Sequence, residues 1–208
     1  MEFRLAERLS AAGERHDVHW LIYNPFQFRW FHQQAKGNAP GVIDALREVF
    51  PDARSVVDVG AGAGTFAARA KRSGLQVQAF EYGYFGRVYA AAQRVRSRKI
   101  DFGGPALPPR PPADLAWSFE VAEHLPPAMG DRLVEFLSGF PQVAFTASPP
   151  GQGGIGHIHL QPKAYWIERF AAYGMRHDPE RSERLGAAFG RRDVAFWFPQ
   201  NALVFSKA

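Results

Sequence analysis

Three glycines follow an apolar run in the segment VVDVGAGAGTF, which covers residues 56–66. Glycine lets the backbone adopt positive φ angles and approach a ligand closely, and a helix that begins beyond such a loop attracts negative charge. The spacing is G-x-G-x-G with Asp58 before the first glycine, whereas the dinucleotide-binding pattern requires a glycine where Thr65 stands. No G-K-[ST] follows, so the loop is not a P-loop. It is predicted to bind a ligand other than NAD, and the alternative is a tight strand-to-helix turn.

Glu81 stands at the end of the next apolar run, LQVQAF. A carboxylate is an acceptor-only group, so it can accept one hydrogen bond from each of two ribose hydroxyls. Taken alone, Glu81 could equally well be an exposed surface residue. Because it follows the glycine loop by one strand and one helix, we predict that it binds a ribose.

Two histidines follow the last two apolar runs before residue 160. His124 lies after DLAWSF, and His157 lies in the loop after QVAFTAS. Histidine is suited to general acid–base chemistry near neutral pH, and the carboxyl ends of strands in an open α/β sheet are where ligands bind. Both are therefore predicted as catalytic residues on the acceptor side. The alternatives are that His124 fixes the following helix and that His157 is a loop residue bonded to the backbone.

A zinc site is a further alternative for the same loop. His157 and His159 are separated by one residue, and on a strand their side chains would point the same way. Glu120, Glu123 or His124 would then supply a third ligand. No ligand spacing in the sequence requires this arrangement, so no metal is predicted.

Alternating strands and helices must position these groups. Apolar β-branched runs predict strands at 55–59, 75–80, 99–102, 114–119 and 142–148, and helical spacing predicts helices at 39–50, 65–74, 86–98, 126–140 and 162–173. This order predicts an α/β fold with a parallel sheet and right-handed crossovers. The first forty residues are rich in aromatics without a clean helical period, and they are read either as a cap over the sheet or as a substrate lid. A polar insert after residue 173 precedes NALVFSK, which is predicted to be a terminal antiparallel strand.

Composition narrows the class of protein. The chain has 208 residues, no cysteine, 46% hydrophobic and 22% charged residues, and a net charge of +5. These values favour a globular chain with a sizeable core and exclude disulfides and thiolate metal sites. The basic cluster RVRSRK is short, so nucleic acid is not a favoured partner. The absence of an apolar run long enough to span a membrane, and of a secretory signal, favours a cytoplasmic protein.

The ordered segments DVGAGAG, FEYG, IDFGGP, DLAWSFEVAEHLP and HIHLQPKAYWIERFAAYGM together resemble the class I S-adenosylmethionine-dependent methyltransferases of the small-molecule type. The resemblance covers about residues 56–205. It implies a Rossmann-like, seven-stranded, mostly parallel sheet with helices on both faces, an antiparallel last strand and an N-terminal helical or aromatic cap. The implied division is a cap at 1–38 and a cofactor-binding domain at 39–208.

The resemblance also implies a set of residues that bind S-adenosylmethionine: Asp58, Gly60, Ala61, Gly62, Gly64, Glu81, Tyr82, Asp101, Phe102, Phe119 and Glu120. Gly60 and Gly62 would line the methionine part of the cofactor, and Asp58 would order the loop. Glu81 would hold the ribose, with Tyr82 against the adenine.

The remaining residues with implied roles lie at the ends of the third and fourth predicted strands. Asp101 would accept from the adenine amino group, with Phe102 packed beside the ring. Phe119 and Glu120 would line the amino-acid end of the cofactor and the floor of the active site. The resembling subgroup more often has asparagine where His159 stands.

These observations predict an enzyme that transfers a methyl group from S-adenosylmethionine to an oxygen, or a nitrogen, of a small-molecule acceptor, in a biosynthetic reaction. A nucleic-acid methyltransferase is one alternative, although FEVAEHL stands where amino-methylating DNA enzymes have [DNS]-P-P-[YFW]. A non-catalytic module that binds the cofactor is the other.

Overall fold

The computed structural model describes residues 2–16 and 19–207. The strands are β1 Ser55–Val59, β2 Gln76–Phe80, β3 Ser97–Arg98, β4 Leu115–Phe119, β5 Gln142–Thr146, β6 Met175–His177 and β7 Leu203–Lys207. The helices are α1 Glu2–His16, α2 His19–Ile22, α3 Pro25–Val49, α4 Thr65–Arg72, α5 Tyr84–Ala92, α6 Pro127–Leu137, α7 Lys163–Ala172, α8 Pro179–Gly190 and α9 Trp197–Asn201. None of these helices is both long and apolar enough to cross a membrane.

The strands form one sheet in the order β3-β2-β1-β4-β5-β7-β6. β1 to β5 run parallel, and β7 is antiparallel to both β5 and β6. The strand order reverses between β1 and β4, and ligands of open α/β sheets bind outside the carboxyl ends of the strands at such a point. The predicted Rossmann-like sheet with an antiparallel last strand is confirmed.

Apolar side chains alternate between the two covered faces of the sheet. On β4, Leu115 and Trp117 pack with α3 and α8, whereas Ala116 packs with α6 and α7 on the other face. A strand buried on both faces reads as a continuous apolar run, which is why β1, β4 and β5 could be predicted from sequence. Each large side chain buried in these layers contributes roughly 1.5–3 kcal/mol to stability.

The described residues of the N-terminal cap are helical except for Tyr23 and Asn24, although the hydrophobic pattern of the cap is irregular. The helix predicted to begin at residue 39 already begins at Pro25, after Asn24, whose Oδ1 accepts a hydrogen bond from the backbone N–H of Gln27 at 3.0 Å. Along its length α3 contacts α1, α4, α5 and α8. Apolar residues are therefore needed on several sides, and no single stripe emerges in the sequence. The proposed division at residue 38 falls inside this helix and stays a prediction.

The third strand lies earlier in the chain than predicted. The helix expected to run to residue 98 ends at Ala92, and β3 is Ser97–Arg98 rather than residues 99–102. Arg94 adopts a positive φ of 61°, where glycine usually ends a helix. Because this left-handed residue is an arginine, the sequence gives no stop signal.

The polar insert after residue 173 is regular structure. It contains β6, α8 and α9, and α8 begins after Asp178, whose Oδ1 accepts from the backbone N–H of Arg181 at 2.9 Å. Only a narrow side of α8 is apolar, with Leu185 and Phe189 buried against α3. Its charged outer face explains why the segment reads as polar.

Candidate active site

The glycine loop joins β1 to α4 at the point where the strand order reverses. Gly60, Gly62 and Gly64 have φ angles of 80°, 52° and 72°. A Cβ on Gly60 would overlap the methyl groups of Val121, so the loop comes closer to the turn after β4 than a larger residue would allow. A Cβ on Gly62 would meet nothing within 4 Å, so open space lies beside the loop. The backbone N–H groups of Gly60 and Ala61 both donate to the carbonyl of Phe80 at 2.9 Å.

Glu81 connects the end of β2 to this loop. Its Oε2 accepts a hydrogen bond from the backbone N–H of Gly62 at 2.8 Å, and its Oε1 accepts from Gly83 at 2.6 Å. Burial raises the pKa of this carboxyl, and the two backbone donors partly offset the effect. Each carboxylate oxygen has a second lone pair, so the group can accept further hydrogen bonds from a ligand.

Asp58 is buried in β1 beneath the loop. Burial, assisted by the nearby carboxylate of Glu81, raises the pKa of Asp58 to about 7. Its Oδ2 has no hydrogen-bond partner among the described residues. The proposed role of Asp58 in ordering the loop stays a prediction.

The residues predicted around the adenine lie beside the ends of β2 and β3. Tyr82 is 44% exposed, and the ammonium of Lys99 lies 5.2 Å from the centroid of its ring. The Oδ1 of Asp101 accepts from the backbone N–H of Gly103 at 3.0 Å. Phe102 is buried in the core beside α6. Their contacts with a cofactor stay predictions.

The end of β4 carries a carboxylate held in a network of neutral donors. Phe119 belongs to the core under this end, and the next residue, Glu120, adopts a positive φ of 54°. The carboxylate of Glu120 accepts hydrogen bonds from Ser148 Oγ at 3.0 Å, Gln152 Nε2 at 3.3 Å and Asn201 Nδ2 at 3.2 Å. A strained backbone at such a residue persists only when its surroundings fix it, and it is concentrated at functional sites.

Ser148, Gln152 and Asn201 were not predicted from sequence. They lie after β5, in the following loop and at the end of α9, and nothing in their spacing links them. The only signal available in the sequence was that each is a polar residue at or near one end of a predicted strand.

The two predicted catalytic histidines are adjacent. The rings of His124 and His157 meet edge to face with centroids 4.8 Å apart. Nδ1 of His124 lies 3.1 Å from the carbonyl of Gly156, and Nδ1 of His157 lies 3.1 Å from the carbonyl of Gln152. A carbonyl can only accept, so each Nδ1 carries a proton, and in the neutral form of each ring the lone pair is on Nε2. Burial, and then the neighbouring His157, lower the pKa of His124 to about 4.

Glu123 holds the loop of His157 against the turn after β4. Its backbone carbonyl accepts from the N–H groups of Ile158 and His159, at 2.9 and 3.0 Å. Its side chain is fully buried, and burial and the carboxylate of Glu120 raise the pKa of Glu123 well above its usual range. The turn and the loop thus place three titratable side chains together, although only two were predicted as catalytic.

His159 does not join this group. It is 4% exposed, and its ring meets Tyr165 and Trp166 edge to face, with centroids 5.4 and 5.3 Å away. The segment around His157 is not a strand, so the rule that alternate residues share a face does not apply. The considered pairing of His157 with His159 is therefore not formed.

The N-terminal cap packs on both parts of the site. Phe28 lies against Gly83 and Gly86, next to Glu81. Tyr23 meets His124 edge to face, with ring centroids 5.9 Å apart. The cap therefore contacts both the region of the predicted ribose site and the histidine pair.

The strand order, the glycine loop at its reversal and the acid at the end of β2 define the fold of the class I S-adenosylmethionine-dependent methyltransferases. No protein-family model matches the chain, and no curated protein matches its sequence.

Solved structures agree with this class of fold. PigF with S-adenosylhomocysteine is similar over 100% of this chain and 69% of its own, with a TM-score of 0.65 and 14% identity. Human N-acetylserotonin methyltransferase with S-adenosylmethionine is similar over 91% of this chain and 59% of its own, with a TM-score of 0.63 and 16% identity. The [4+2]-cyclase SpnF is similar over 80% of this chain and 79% of its own, with a TM-score of 0.55 and 16% identity. This chain thus spans about three fifths of the human enzyme.

Proposed function

We propose that this protein transfers the methyl group of S-adenosylmethionine to an oxygen, or a nitrogen, of a small-molecule acceptor in a biosynthetic reaction. The observation that carries the proposal is the hydrogen bond between Glu81 and Gly62, which fixes a carboxylate beside open space at the strand-order reversal. S-adenosylmethionine supplies an electrophilic methyl group on a sulfonium. The chain must hold the nucleoside, orient the acceptor in line with that methyl group and remove a proton.

The residues present fit the nucleoside end of this cofactor. Glu81 retains lone pairs for both ribose hydroxyls while its backbone hydrogen bonds keep it in place. Gly62 leaves room for a ligand against the loop. Tyr82 and Asp101 would bound the adenine from the neighbouring strand ends.

The residues at the ends of β4 and β5 would serve the acceptor. Glu120 and its donors Ser148, Gln152 and Asn201 form a polar surface that can orient a hydroxyl or an amine. The histidine pair beside it would assist loss of the acceptor's proton. In the neutral form, each ring has one nitrogen whose lone pair can assist this step.

Calorimetry with S-adenosylhomocysteine tests the cofactor site. Wild type is expected to bind, and Glu81→Ala is expected to lose at least tenfold in affinity, which is about 1.4 kcal/mol. Glu183→Ala, on the exposed face of α8, is the matched control and should bind as wild type does. Tight binding by Glu81→Ala would remove the ribose assignment.

A second measurement tests methyl transfer itself, because SpnF shows that a cyclase can have this fold. The protein is incubated with methyl-labelled S-adenosylmethionine and a metabolite extract, and labelled products are identified. Transfer that is lost in Glu81→Ala would support the proposal. Nucleic acid is added to a parallel sample. If the protein binds the cofactor but labels neither a metabolite nor the nucleic acid, a non-catalytic role is favoured.

A further inference from the structure

Three metal-binding side chains converge next to the network of Glu120. One carboxylate oxygen of Glu123 and one ring nitrogen each of His124 and His157 lie within 4.8 Å of one another. A tetrahedral zinc site with ligands at about 2.0–2.2 Å needs donor atoms roughly 3.4 Å apart. The donor atoms would therefore have to move closer by at most about 1.4 Å when an ion binds.

The carboxylate of Glu123 has only weak partners for a buried acid, because Ser148 and the backbone N–H of Glu123 lie near it without forming well-aligned hydrogen bonds. The side chain is fully buried, and within the described ranges neither oxygen accepts a hydrogen bond of good geometry. The carboxylate of Glu120 lies near enough to repel it, and the groups that partly offset this effect, Ser148 and the backbone of Glu123, are neutral. A buried carboxylate beside a second one requires a proton or a counter-charge.

The two imidazoles are held in the manner of metal ligands. A metal-binding histidine commonly donates its other ring N–H to a carbonyl or carboxylate, which fixes the tautomer and the ring orientation. His124 and His157 both direct Nδ1 to a backbone carbonyl, of Gly156 and Gln152 respectively. A Cβ on Gly154 would overlap the ring of His157, so the glycine-rich loop is shaped around this imidazole.

We propose that Glu123, His124 and His157 bind a divalent transition-metal ion of the zinc type on the acceptor side of the active site. Two imidazoles and one carboxylate suit such an ion, and three protein ligands leave an open coordination position. The bound ion would bring positive charge to the carboxylates of Glu123 and Glu120, beside which no cation acts within the described part of the chain.

This inference rests on the proposed function, since it assigns the open position to the acceptor. The acceptor oxygen would coordinate the ion, which lowers the pKa of its hydroxyl and releases the proton to solvent. A lone pair of that oxygen then forms the bond to the methyl carbon. The bond between methyl carbon and sulfur breaks, and its electron pair stays on sulfur as a neutral thioether. The ion thus activates a hydroxyl acceptor through the histidines, which do not take the proton themselves.

Metal uptake can be measured without any acceptor. Untagged protein is treated with a chelator and dialysed against Zn²⁺ alone, and bound zinc is quantified per chain. Wild type should bind about one ion, and both Glu123→Gln and His157→Ala should lose at least tenfold in affinity. His159→Asn is the matched control, because this histidine lies two residues away but faces the aromatic cluster, and it should bind zinc as wild type does.

Circular dichroism checks that each variant is folded, and Glu123→Gln keeps the test valid if His157→Ala does not fold. Absence of stoichiometric zinc in wild type, or equal zinc in wild type and both ligand variants, would overturn the inference. Calorimetry with S-adenosylhomocysteine on the same samples separates the two proposals. Cofactor binding without zinc binding removes the metal site alone, whereas zinc binding without cofactor binding removes the proposed function.

Discussion

Glu81 and Gly62 are joined by a hydrogen bond of 2.8 Å between a side chain at the end of β2 and the backbone of the loop after β1. The second oxygen of the same carboxylate holds Gly83 at the start of α5. One acid therefore fixes the relative position of two neighbouring connections at the edge of the sheet where a ligand is expected.

Glu81→Gln should lower the free energy of unfolding of the protein in the absence of any ligand. The amide keeps one acceptor oxygen but places an NH₂ group against one of the two backbone N–H donors, which is left unsatisfied. An unsatisfied buried donor costs about 1–3 kcal/mol, and urea unfolding should show a loss in this range. A variant as stable as wild type would mean that the carboxylate does not order the loop.

Asp58→Asn should change stability in a pH-dependent way. The folded protein holds the pKa of Asp58 at about 7, whereas an unfolded aspartate titrates near pH ~4. Between these values the folded state retains a proton that the unfolded state has released. The stability contributed by this group is therefore fully present below about pH 4 and is lost as pH rises from about 4 to about 7, by an amount of the order of 4 kcal/mol.

The aspartate and asparagine proteins should thus differ little near pH 4, and the variant should be the more stable one at pH 8.5. Urea unfolding of both proteins at the two pH values measures the difference. Asp52→Asn, at an exposed position, is the control and should show no such divergence. Equal differences at both pH values would contradict the assignment.

Gly60→Ala should destabilise the protein through two separable effects. Alanine at a φ of 80° costs about 1–2 kcal/mol, and its Cβ would also overlap Val121. Gly74→Ala is the matched control, because Gly74 has a φ of 93° with nothing within 4 Å of the added Cβ. Gly60→Ala should be the worse of the two in urea unfolding. Adding Val121→Ala to it should recover only the part that is due to overlap.

Phe170→Ala tests the core that carries the site. Phe170 on α7 stacks on Phe205 of β7, with ring centroids 3.9 Å apart, and both are fully buried. Removal of a buried phenylalanine costs about 3–5 kcal/mol because a cavity remains. Tyr173→Ala, at a 41% exposed position on the same turn of chain, should change the free energy of unfolding by less than about 0.5 kcal/mol.

The sequence was sufficient to predict those strands and loops whose structure depends mainly on their own residues. Buried parallel strands are apolar throughout, and a strand followed by spaced glycines marks the loop before α4. The predictions that were wrong concern positions whose structure is not signalled by their own residues. Arg94 ends α5 without a glycine signal, and α3 packs on four helices and so shows no single apolar stripe.

Some residues of the candidate site could likewise be predicted from sequence, and others could not. His124 and His157 could be placed together because both follow predicted parallel strands, whose carboxyl ends share one edge. Glu123 could be considered only as one of several acids, since its direction depends on how the turn after β4 folds. Asn201 reaches Glu120 across 81 positions of sequence, and only the sheet order brings them together.

The continuity of α3 has a practical consequence for how the chain can be shortened. A truncation at residue 38 would cut a packed helix rather than a linker. It would remove Phe28 from Gly83 and Gly86, and His32, whose Nδ1 lies 2.8 Å from Thr65 Oγ1 at the start of α4. The remaining half of α3 would keep Val42 and Ile43 in the core but would lose the contact of His32 with the first turn of α4. A shortened chain should therefore keep α3 whole, because both halves of this helix pack on the elements that carry the candidate site.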